Sequence, residues 1–130
     1  MSSSTENKRL FAIRGAVCSK NTKEDICKNT VEVCNEIFQK NNVKSEDLVS
    51  IQFTMTPDLT KLNPATALRI GGACIDTSKV ALFCSQEPVI EGMLPETIRV
   101  MVTLYLDENA RIINVYLNGA EKLRPDFSRK

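Results

Sequence analysis

Apolar and polar residues alternate along this chain with a period of two in some stretches and three to four in others. The change from one period to the other marks its elements. In TIRVMVTLYL (Thr97–Leu106), Ile98, Val100, Val102, Leu104 and Leu106 point one way, while Arg99, Met101, Thr103 and Tyr105 point the other. That is the side-chain alternation of a half-buried strand, predicted here over Ile98–Leu106. Arg9–Val17 (RLFAIRGAV) repeats it, with Phe11, Ile13 and Val17 on one face and Leu10, Ala12, Arg14 and Ala16 on the other. Ile51, Phe53 and Met55 alternate with Gln52 and Thr54 in a further strand, which Thr56-Pro57-Asp58 stops. Lys79–Ser85 and Arg111–Leu117 complete the set, and Asp107–Ala110 has the length of a hairpin loop joining the last two strands.

Helical spacing takes over between the strands. Thr22 is placed to cap a helix, with Asp25 three residues on in a capping-box-like start. Ile26, Cys27, Thr30, Val31, Cys34, Ile37 and Phe38 form its inner stripe, and Asn41-Asn42 suits the turn that ends it. Ser45-Glu46-Asp47 can cap one short turn. Asn63-Pro64 opens a short helix over Pro64–Ile70, and Gly71-Gly72 closes it. The order β-α-β-α-β-β-β predicts an α+β fold, a mixed five-stranded sheet with one long helix on one face and short helices besides. One long helix covers only one sheet face. The other, where Arg14 and Arg99 fall, is expected to meet another subunit.

Length makes this a single domain: 130 residues suffice for one core. The first eight residues, MSSSTENK, are polar and form no signal peptide, so residues 1–8 read as a disordered tail, 9–124 as the domain and 125–130 as a C-terminal tail. A formal net charge of +1 gives no general reason to expect nucleic acid or an anionic membrane as partner. No apolar run approaches the roughly 20 residues that span a bilayer. The five cysteines are odd in number and include no CxxC pair, which favours reduced thiols in a cytoplasmic protein. The chain contains no histidine. Ser-His-Asp and Cys-His nucleophile systems are therefore impossible, as is a histidine general base or zinc ligand. No spacing suggests a metal, and no cofactor is implied. An enzyme built from this chain must use carboxylate, guanidinium, thiol or hydroxyl groups.

Arg14, Arg99 and Arg124 are each embedded among apolar or small residues, away from the lysine-rich surface. Glu87 follows a strand end in LFCSQEP, and Tyr116 lies in the last predicted strand on the face of Ile112 and Asn114. A guanidinium held on a strand suits small multiply anionic ligands, because it grips a carboxylate through two parallel hydrogen bonds and stays charged. The competing reading of each arginine is a surface ion pair worth little. Cys84 has no histidine to activate it and reads as a packed strand thiol. In RIGGA the glycines follow the short helix, which makes them a C-cap and not a phosphate loop. Pattern alone supports an oligomeric domain that binds a small anion.

Seven fragments carry more: IRGA (Ile13–Ala16), TPDL (Thr56–Leu59), PATALR (Pro64–Arg69), CSQE (Cys84–Glu87), IRVMVT (Ile98–Thr103), VYL (Val115–Leu117) and LRPDFS (Leu123–Ser128). In order and spacing the chain resembles the monofunctional, AroH-type chorismate mutases from about Arg9 to Ser128. The resemblance implies a homotrimer with a barrel-like core and active sites in clefts between neighbouring subunits. It implies that Arg99 contacts the ether oxygen of the breaking bond and that Arg14 and Tyr116 hold a substrate carboxylate. Glu87 would meet the ring hydroxyl. Phe83, Cys84, Ser85 and Gln86 would line the pocket, with Ala65 and Arg69 also at the substrate, Arg69 at the mouth. Leu123 and Arg124 would belong to a segment that closes over the ligand. The chain departs from the family's usual pattern at Asn63, Thr66 and Phe83, which replace an aromatic residue, a lysine and a threonine. Two rival readings are an enamine/imine deaminase of the RidA type, whose motifs are not found here, and a non-catalytic trimeric metabolite-binding protein, which would not need Arg99 and Glu87 together.

Overall fold

The computed structural model describes residues 7–123; residues 1–6 of the expected N-terminal tail, Arg124 and the expected tail 125–130 lie outside them. Five strands form one mixed sheet: β1 (Lys8–Cys18), β2 (Leu48–Met55), β3 (Ala81–Gln86), β4 (Thr97–Asp107) and β5 (Val115–Leu117), in the order β3-β2-β4-β1-β5. β4 runs antiparallel to both β1 and β2, while β3 lies parallel to β2 and β5 parallel to β1. Helices α1 (Lys23–Lys40) and α2 (Pro64–Ile70) connect the first strands. α1 lies against β1 and β5, and α2 against β2 and β3, so both cover the same sheet face.

The period-two pattern explains what is buried. Ile13, Ile51, Phe53, Val100, Val102 and Leu104 point to the helix side and are almost wholly shielded. They meet Ile26, Val33, Cys34, Ile37 and Phe38 of α1 and Leu68 of α2. Each such side chain contributes about 1.5–3 kcal/mol of transfer free energy on burial. Gly15 lets α1 come close, since a Cβ there would stand 2.8 Å from Ile37 Cδ1 and 3.0 Å from the Val115 carbonyl oxygen. Thr22 caps α1 by accepting from the Asp25 N–H at 3.0 Å. Asn63 caps α2 by accepting from the Ala65 N–H at 2.8 Å, a local reason for asparagine at that position.

Three expectations need correction. No β4–β5 hairpin forms: β5 is confined to Val115–Leu117 and pairs with β1. Both edges of β4 are already occupied by β1 and β2, so the returning chain has no free edge there. Residues 111–114 stay out of the sheet because their polar groups are satisfied elsewhere, as when Asn114 Oδ1 accepts from the Arg14 N–H at 2.8 Å. β3 starts two residues late, at Ala81. Within the α1 stripe Cys27 and Val31 are only half-buried, while Asn29 is buried.

Candidate active site

The sheet face without helices carries the candidate chemistry, arranged in rows by strand register. Thr54 of β2 stands opposite Arg99 of β4, Arg99 opposite Ala16 of β1, and Ala16 opposite Tyr116 of β5. In the next row Gln52 faces Met101, and Met101 faces Arg14. Beyond the end of β3, Glu87 donates its backbone N–H to the Met55 carbonyl at 2.9 Å, which brings its side chain back over β2. There the Thr54 hydroxyl donates to Glu87 Oε2, and Arg99 Nε lies 3.5 Å from the same oxygen. The carboxylate side chain is 16% exposed and the guanidinium 54%, so the anion is sheltered and the cation opens to the cleft.

The TPDL turn fixes where β4 begins. Thr56 Oγ1 accepts from the Thr97 N–H at 3.0 Å, and the Asp58 carboxylate receives the Glu96 N–H at 3.0 Å. Two residues on, Arg99 leaves a start that is pinned on both sides. At the other edge, Asn41 at the C-cap of α1 brackets Ile113, accepting its N–H at 2.8 Å and donating to its carbonyl at 3.0 Å. Asn118 beyond β5 donates to Asn29 Oδ1 at 2.6 Å. α1 thereby holds both ends of the short strand that carries Tyr116.

The resulting cleft measures about 390 Å³ and is lined by Arg14, Gly15, Ala16, Gln52, Thr54, Glu87, Arg99, Val100, Met101, Tyr116 and Leu123. That is within the size range of small-molecule sites. It unites five residues singled out from the sequence: Arg14, Glu87, Arg99, Tyr116 and Leu123. The other described ones lie elsewhere in the same chain. Phe83 and Ser85 share the cleft's sheet face but sit on the edge strand β3, opposite Gln52 and Thr54. Cys84 points to the helix side, in register with Phe53, and packs against the core. Burial there pushes its thiol pKa up, so it stays protonated at neutral pH. Gln86 ends β3 and is exposed; Ala65 is buried in α2, and Arg69 is exposed in its last turn. Arg124 lies outside the described residues. Thr54 and Gln52 were not singled out as site residues, although the alternation of β2 puts both on the face away from the core.

Among the described residues no three His, Cys, Asp or Glu side chains gather closely enough to hold a metal ion. No described helix is long and apolar enough to cross a membrane. What the cleft offers is fixed positive charge, one sheltered carboxylate and a phenol, which together suit a small ligand carrying carboxylates and a hydroxyl.

This is an α+β fold with arginines set on strands around a carboxylate, an arrangement suited to small anions. The family described as chorismate mutase type I matches residues 10–127. Chorismate mutase AroH of Bacillus subtilis (strain 168) is 37% identical over 122 residues, covering 92% of this chain and 93% of the relative. Chorismate mutase AroH of Thermus thermophilus is 37% identical over 118 residues, covering 88% and 93%. Among solved structures, a chorismate mutase from Clostridium thermocellum superposes with a TM-score of 0.73 at 36% identity, covering 86% of this chain and 98% of that one. The chain belongs to the chorismate mutase type I family.

Proposed function

We propose that this chain catalyses the rearrangement of chorismate to prephenate, within phenylalanine and tyrosine biosynthesis, as a homotrimer with its sites between neighbouring subunits. The observation that carries the reading is the Arg99–Glu87 pair in an arginine-lined cleft of a chain from this family. The reaction is a Claisen rearrangement in which one C–O bond breaks as one C–C bond forms. It involves no proton transfer and no covalent intermediate, so a chain without histidine can perform it. Electron density moves onto the ether oxygen in the transition state. A cation fixed there by Arg99 stabilises the transition state more than the ground state. By analogy with the loss of an oxyanion-hole donor, that contact is worth on the order of 3 kcal/mol or more. Arg14 and Tyr116 grip a carboxylate and favour the compact, reactive conformer. Glu87 accepts the ring hydroxyl, and Leu123 and Arg124 close over the ligand.

Assembly follows from what one chain leaves undone. Leu10, Phe83, Met101 and Tyr105 remain exposed on the face without helices, Phe83 by 66%. The exposed Arg69, Phe83, Ser85 and Gln86 do not reach their own chain's cleft; a neighbour would supply them. The five thiols, none in a disulfide, fit a cytoplasmic enzyme. The test is sedimentation together with a spectrophotometric assay of chorismate loss and prephenate formation. A trimer with turnover unaffected by EDTA is expected. A monomer, absent turnover or EDTA-sensitive turnover contradicts the reading.

A further inference from the structure

We propose that Thr54 is a positioning residue whose hydroxyl holds Glu87 by one carboxylate oxygen and so presents the other to the substrate. The proposal rests on the reaction assigned above and on the hydroxyl-binding role of Glu87 within it. Glu87 lies beyond the end of β3, outside the ladder, where a side chain would ordinarily sample several rotamers. Here β2 holds it twice, through the Met55 carbonyl on its backbone N–H and the Thr54 hydroxyl on its carboxylate. Among the described residues, the Thr54 hydroxyl and Arg99 Nε both engage Oε2 of that carboxylate. Oε1 is turned to neither of them.

Thr54 is suited to this task by type and by place. Its branched Cβ restricts χ1, so the hydroxyl direction is set once the strand is set. β2 lies between β3 and β4, with Thr54 in register with Ser85 on one side and Arg99 on the other, which leaves its backbone little freedom. A hydrogen bond to an ionised group is among the stronger neutral-to-charge contacts a hydroxyl makes. The division of labour is then clear: Oε2 is spent inside the protein and Oε1 meets the ring hydroxyl.

Thr54→Val keeps the shape and removes the donor. On chorismate its kcat/KM should fall about tenfold or more, the scale of one hydrogen bond to a charged group. Thr54→Ser restores the hydroxyl and should stay within about threefold of wild type, with both variants folded and sedimenting as wild type. The deciding arm is a chorismate analogue lacking the ring hydroxyl. Glu87 has nothing to orient there, so wild type and Thr54→Val should turn it over within about threefold of each other. Thr54→Ala, tested in the same way, serves if the valine variant fails to fold. Full activity of the variant on chorismate, or an equal loss on both substrates, overturns the role of Thr54. Inactive wild-type protein overturns the assigned reaction, and this role with it.

Discussion

Cys84 and Ser85 are adjacent in sequence and belong to opposite sides of the sheet, which shows how finely strand period divides packing from chemistry. Ser85 shares a row with Thr54 and Arg99, whereas Cys84 shares one with Phe53 and Val100. Burial pushes the thiol pKa up, which disfavours the thiolate that would attack a substrate. Cys84→Ala should therefore keep kcat within about tenfold of wild type while losing some stability to the smaller side chain. Steady-state kinetics check this, and a loss beyond about a thousandfold, or about 4 kcal/mol, would assign Cys84 to the reaction itself. Arg14 and Arg99 were legible in the sequence because charge set among apolar residues is conspicuous, and Glu87 because it follows a strand end just before a proline. Thr54 was not, because a threonine on a strand is ordinary until its partner, 33 residues away, is known.

At the scale of elements, α1 does more than close the core. Its asparagines, Asn29 and Asn41, hold the chain on either side of β5, and Tyr116 lies three residues beyond Ile113. Asn41→Ala removes two hydrogen bonds from the backbone of Ile113 and should cost about 1–3 kcal/mol in urea unfolding. KM should rise severalfold and kcat change little if the displaced tyrosine serves binding, as proposed. Unchanged stability and KM would contradict the bracket. The helices and the strands β1, β2 and β4 could be read from local periodicity and caps, which depend on neighbours in sequence. The place of β5 could not, because RIINVYL alternates well enough for a strand while its partner is decided by which edge remains free. The burial of Asn29 escaped for a similar reason: its partner, Asn118, lies 89 residues away.

Over the whole molecule, a nearly neutral chain concentrates its chemistry by geometry. A formal net charge of +1 gives no strong overall field. Yet the sheet sets Arg14 and Arg99 around one cleft, with Glu87 sheltered beside Arg99. Cations held on strands need no reorganisation when charge develops, and in the proposed mechanism that preorganisation supplies the acceleration in a reaction with no proton to move. Replacing Arg99 by citrulline tests this most directly, since it keeps the planar shape and removes the charge. The account predicts a loss of about a hundredfold or more in kcat, with KM changed much less, because the ether oxygen is only weakly negative before the bond stretches. A rise in KM with kcat preserved, or no change beyond twofold in either constant, would contradict it.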